Sequence, residues 1–202
     1  MTKKSPYSPH PSIAHWQAML ESLPERTGKT MDEWQALLRK SGVESVAERR
    51  KWLQEKHGLG LSTIGLILDE ADNKSPAPYL KPEDLVVQIF SGAKANLRQL
   101  YEEILHFGLG LGVDVRACPC ATMVPFYRQH VFAQVKAPNR SAIHLGLALG
   151  DLAAEGILIS TGGYEKKDRI THRIDVPLGS SLTKEQKQWF RRAYERATPA
   201  KG

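Results

Sequence analysis

The chain has 202 residues, of which 41% are apolar and 25% charged, an ordinary globular usage that excludes wholesale disorder and a collagen-like chain. No apolar run approaches the roughly 18 residues of a membrane span, no apolar stretch follows Lys3 and Lys4 as a secretory signal requires, and two cysteines cannot staple a chain this long and fit a reducing cytoplasm. Net charge is +6. The excess is uneven: residues 1–75 carry 11 basic and 10 acidic side chains, residues 76–202 carry 17 and 12.

Residues 1–11 contain Pro6, Pro9 and Pro11 and read as a flexible tail. Ile13, Trp16, Leu20 and Leu23 then recur at helical spacing. Thr30 with Glu33 forms a capping box, in which hydroxyl and carboxylate each satisfy a free N–H at a helix start. Trp34, Leu37 and Leu38 follow it, and Gly42 ends that helix. Ser45 with Glu48 repeats the device ahead of Trp52, Leu53 and a stop at Gly58. A fourth helix starts near Ser62. Residues 12–72 thus read as a small helical bundle of four short helices. Residues 73–82, with Pro76, Pro78 and Pro82, have linker composition.

The second domain is expected over 83–197. Glu83–Phe90 and Lys94–Phe107 read as helices, and Gly108, Gly110 and Gly112 end the helical run. The period then switches to two, predicting strands over 113–117, 122–128, 131–136, 142–147 and 169–176. Thr183 with Gln186 caps a final helix, and 198–202 form a tail. Helices, a strand meander and a closing helix predict an α+β fold with helices packed on one face of an antiparallel sheet.

Thr27-Gly28-Lys29-Thr30, Glu33-Trp34 and His57-Gly58-Leu59-Gly60 resemble a bacterial helical domain of unknown function. Ser91-Gly92-x-Lys94, Leu97, Tyr101, Gly110, Val113, Thr122, Phe132, Leu145-Gly146-Leu147 and Thr171-His172-Arg173 resemble a second uncharacterised domain that commonly follows the first. Together the two resemblances cover about residues 12–197. Neither implies an activity or an active site. The second is similar to modules attached to predicted defence and restriction-type proteins, which turns the expectation toward nucleic acid. The chain departs from that pattern at Cys120 and Ala121, where two lysines usually precede the Thr-led strand.

Gly28-Lys29-Thr30 lacks the strand before it and the glycine five residues earlier that a phosphate loop needs; that position is Leu23. Gly58-Leu59-Gly60 resembles a helix–hairpin–helix turn, whose backbone N–H groups approach a DNA phosphate, with Lys56 adding charge. The commoner reading of the same glycines is a helix stop at Gly58, with Gly60 relieving a tight turn. Cys118-Pro119-Cys120 falls short of zinc spacing and ligand number. His172 reads as a core histidine and His144 as facing the opposite side of its strand from Ile143 and Leu145. No serine or cysteine pairs with these histidines from the sequence, so no catalytic residue is assigned.

Arg128, Lys136, Arg140 and Arg173 cluster about the predicted sheet and can track a phosphate backbone. A cytoplasmic binding protein without catalysis, cofactor or metal follows. Its expected partner is a DNA or RNA backbone contacted through Lys56, Gly58, Gly60, Arg128, Lys136, Arg140 and Arg173. The competing expectation is a small-ligand or protein-interaction module using a cleft between sheet and helices.

Overall fold

A computed structural model describes residues 5–72 and 81–198. The expected linker falls almost wholly outside these residues, as do the last four positions. The described residues form two compact units, 11–72 and 5–10 with 81–198, containing eight α-helices, a 3₁₀ helix and one six-stranded antiparallel sheet. The fold is α+β.

The helical unit has five helices where the periodicity predicts four: α1 Pro11–Glu21, α2 Leu23–Thr27, α3 Met31–Ser41, α4 Val46–His57 and α5 Leu61–Ala71. The extra helix is the single turn α2, started by Pro24 in its first turn and ended by left-handed Gly28 (φ 71°). The Thr30–Glu33 capping box forms as expected. Its carboxylate accepts the Thr30 N–H at 2.7 Å, which holds the Glu33 pKa below the usual range. Leu23, Trp34, Leu53, Ile64 and Ile67 make the core. Trp34 Nε1 donates to Thr27 Oγ1 at 2.9 Å, so this buried indole also ties α2 to α3.

The second unit begins with α6 Pro82–Ile89, the 3₁₀ helix Gly92–Leu97 and α7 Arg98–Leu109. Gly108 lies inside α7 rather than ending it. A Cβ there would come within 2.5 Å of the Phe126 ring and 2.9 Å of Phe190, so close packing explains this glycine.

The strands are β1 Arg116–Ala117, β2 Met123–Tyr127, β3 Val131–Lys136, β4 Ala142–Leu147, β5 Ile159–Ser160 and β6 His172–Pro177, in the spatial order β1-β2-β3-β4-β6-β5. The helix α8, Lys184–Arg196, closes the domain with the Thr183–Gln186 capping box. Val124, Phe126, Val135, Leu145, Leu147, Ile174 and Val176 are wholly or almost wholly buried under α7 and α8. Burial of each large side chain of this kind contributes about 1.5–3 kcal/mol.

The opposite face stays open and is polar. Its two rows are fixed by register: Met123–Lys136–His144–Asp175 and Pro125–Gln134–Gly146–Arg173.

Residues 5–10 do not behave as the expected tail. Tyr7 bridges Ala117 in parallel, and the Ser8 N–H donates to the Ala117 carbonyl at 2.9 Å. The Tyr7 hydroxyl lies 3.1 Å from that of Tyr101, and His10 Nε2 lies 2.8 Å from the Tyr127 hydroxyl. Two aromatic anchors and an unpaired strand edge at β1 fix a segment whose prolines alone suggest looseness.

Candidate anion-binding site

The proposed phosphate contacts separate into three groups. Arg128 is a structural residue. Its Nε donates to Asp114 Oδ2 at 2.8 Å, its Nη1 donates to the Tyr194 and Ala197 carbonyls at 3.1 and 2.8 Å, and its guanidinium stacks 4.2 Å from the Tyr194 ring centre. With 12% of its side chain exposed, it caps the carbonyl end of α8 and has little left to offer a ligand. That correction was invisible in the sequence, because Asp114 and Tyr194 are far from it along the chain.

Lys56, Gly58 and Gly60 stay together in the helical unit. Gly58 is left-handed at φ 63°, and its N–H donates to the Gln54 carbonyl at 3.0 Å. This is the geometry of a helix stop. Gly60 starts α5 with no side-chain cap; its φ of −73° suits any residue, and a Cβ there would meet nothing within 4 Å. Lys56 is exposed on the last turn of α4.

Lys136, Arg140 and Arg173 belong to the sheet domain. Lys136 and Arg173 both face the open side. Arg140 is exposed in the β3–β4 turn, where Asn139 Oδ1 accepts the Ser141 and Ala142 N–H groups at 2.9 and 3.1 Å.

Lys136 leads to a residue that the charge pattern alone did not single out. It lines a cleft of about 530 Å³ with Ser91, Lys94, Ala121 and Thr122, between the 3₁₀ helix, the start of β2 and the end of β3. No Asp or Glu lines this cleft. Two ammonium groups and two hydroxyls therefore converge on a space of ligand size. Ser91, Lys94 and Thr122 stand among the motif residues quoted above, which was the available signal. Ala121 occupies a position where the resembled pattern has lysine.

A larger cleft, about 750 Å³, lies at the other end of β3. There Lys167, Arg169 and Arg196 are mixed with Glu165 and Asp168, so its lining has no single sign.

His172 is buried, with Nδ1 2.9 Å from Thr171 Oγ1. Burial pushes the Cys118 thiol up to about 11 and raises that of Cys120, so both thiols are protonated at neutral pH. Among the described residues, no three His, Cys, Asp or Glu side chains converge as a metal site. No helix among the described residues is long and apolar enough to cross a membrane.

Residues 86–197, more than half of the chain, match the family model of a domain of unknown function, DUF5655. The chain belongs to the DUF5655 family. Residues 15–62 match a second domain of unknown function, DUF4287, which covers most of the helical unit. The DUF5655 region contains the whole sheet, α7, α8 and the cleft lined by Lys94 and Lys136. No curated protein and no solved structure matches the chain.

Proposed function

We propose that the protein is a non-catalytic, cytoplasmic binding protein that holds the phosphate backbone of nucleic acid on its sheet domain. The observation that carries this reading is the cleft in which Lys94 and Lys136 meet Ser91 and Thr122 with no carboxylate in the lining. Lysine is a compact point charge that binds phosphate without demanding one orientation. The Thr122 hydroxyl adds a donor, whereas Ser91 Oγ already donates to the Gln88 carbonyl at 2.8 Å; contacts to the backbone rather than to base edges make sequence preference slight. Arg140 is exposed two residues beyond Pro138, which lines the same cleft, and extends the cationic surface. Arg128 has no part in this surface.

The test is fluorescence anisotropy with labelled single- and double-stranded DNA and RNA across a salt series. Micromolar or tighter binding that weakens steeply with salt supports the reading. Absence of binding at low salt contradicts it.

A second reading has one specific observation in its favour. A cleft of about 530 Å³ falls within the range of small-molecule sites, so a small phosphorylated or carboxylated ligand fits it as well. Competition of such ligands against labelled oligonucleotide separates the two.

A further inference from the structure

The open face of the sheet carries a second, smaller feature beside the cleft. Gln134, Lys136, His144, Thr161 and Arg173 line a trench of about 160 Å³. Gly146 makes its floor. A Cβ at that position would come within 2.8 Å of Ile170 Cγ2 and 2.9 Å of Gln134 Cγ, so Ile170 and Gln134 close down on bare backbone.

Gln134, Lys136 and Arg173 carry N–H donors and His144 carries an imidazole, whereas the Thr161 hydroxyl already donates to the Ile170 carbonyl at 3.0 Å and leaves only a lone pair on this side. The neighbouring carboxylate is Asp175, and two of these groups already hold it. Its Oδ1 lies 3.2 Å from Arg173 Nε and 3.4 Å from His144 Nε2. Neither contact is aligned as a hydrogen bond, although these Asp175 and Arg173 atoms are shielded from solvent. One carboxylate oxygen is thus shared between a guanidinium and an imidazole without an aligned hydrogen bond to either. Across the row, Lys136 stands directly opposite His144 and forms no ion pair among the described residues. The charged groups about the trench are therefore Lys136 from β3 and Arg173 and Asp175 from β6, with the His144 imidazole beside them from β4.

We propose that this trench seats one phosphate group of a ligand whose neighbouring phosphate occupies the Lys94–Lys136 cleft. Lys136 lines both spaces, so the two are adjoining stations of one surface. The ligand class is a phosphodiester strand lying across the open face. A trench of about 160 Å³ has room for a tetrahedral oxyanion. These two rows hold no Phe, Tyr or Trp, and His144 is their one aromatic ring, so recognition is chiefly through the backbone and tolerant of sequence. The inference rests on the phosphate-binding reading above and adds a second station, in which Gln134, His144 and Arg173 from outside the cleft join the shared Lys136.

The test uses the full-length ¹⁵N-labelled chain, titrated separately with inorganic phosphate and with an eight-nucleotide oligothymidylate. Backbone signals of Gly146 and side-chain amide signals of Gln134 report the trench, and backbone signals of Ser91, Lys94 and Thr122 report the cleft. Both sets are expected to shift saturably with the oligonucleotide, and the trench signals also with phosphate. The Gln134→Leu variant, its fold checked by its spectrum, is expected to weaken oligonucleotide binding about 5-fold.

Oligonucleotide binding that moves the cleft signals alone, with unchanged affinity in the Gln134→Leu variant, overturns the trench and leaves the cleft reading intact. Trench shifts with phosphate but no oligonucleotide binding overturn the strand and assign the seat to a small phosphorylated ligand. No response to either titrant overturns the reading and the trench together.

Discussion

Arg128 Nε lies 2.8 Å from Asp114 Oδ2, and the same guanidinium caps the last carbonyls of α8. A residue that a charge count assigns to the ligand surface is thereby a clasp between the β2–β3 turn, the segment before β1 and the final helix. Arg128→Ala removes the donor to Asp114 Oδ2 and to the Ala197 carbonyl, and one of the two donors to the Tyr194 carbonyl, which also accepts from the Ala197 N–H. The expected loss is about 3 kcal/mol of stability, toward the lower end for a broken ion pair that is only partly shielded. Thermal or urea unfolding checks it. Arg128→Lys is expected to recover part of that loss, because charge returns without the forked geometry. Oligonucleotide affinity of the folded fraction is expected to stay unchanged.

Gly108 lies under the Phe126 and Phe190 rings inside α7. Helix propensity alone favours alanine over glycine by about 1 kcal/mol. The aromatic cluster reverses that preference, because the new methyl group must displace rings in a filled core. Gly108→Ala is expected to lower stability by about 1–3 kcal/mol. Chemical denaturation decides the sign.

The two cysteines differ in burial, and their chemistry follows it. Cys118 is fully buried with its thiol raised to about 11, and Cys120 is half-buried. Alkylation of the folded protein at pH 8 is expected to label Cys120 first and Cys118 only on unfolding, as read by peptide mass spectrometry. The linkage sign follows from the raised value. The folded state retains the Cys118 proton above the ordinary thiol value of 9.0, where the unfolded chain releases it. This contribution is neutral at pH 7 and destabilises the fold progressively as pH rises from 9 toward 11.

Much of the fold was legible because it follows local rules. The Thr30–Glu33 and Thr183–Gln186 capping boxes, the strands β3 and β4 and the alternation through β6 reappear in the structure. His144 faces the open side, as its alternation with Ile143 and Leu145 requires. The failures are non-local. The strand β5 is two residues long and too short for a periodic signal. Tyr7 and His10 are anchored by Tyr101 and Tyr127 from distant segments.

The candidate site was only half legible for the same reason. Charge marked Lys136 and Arg173, but only the tertiary fold brings Lys94 beside Lys136 and gives Arg128 to Asp114.

Ala121 lines the cleft where a third ammonium can be added without burying it, since the residue is exposed. Ala121→Lys is expected to tighten oligonucleotide binding at low salt and to steepen the salt dependence. The added slope is about 0.7 in log affinity per log salt for a single strand. Anisotropy titrations at four or more salt concentrations measure it.

The most direct measurement is a comparison of Lys94→Ala, Lys136→Ala and Lys56→Ala in the same oligonucleotide titration across salt. Surface truncations of this kind change stability by less than about 0.5 kcal/mol, so affinity is read from folded protein. The account predicts that Lys94→Ala and Lys136→Ala each weaken binding and flatten the salt slope by about 0.7 for a single strand, while Lys56→Ala leaves both unchanged. Binding that survives both cleft variants but falls with Lys56→Ala would place the contact in the helical unit and contradict the account.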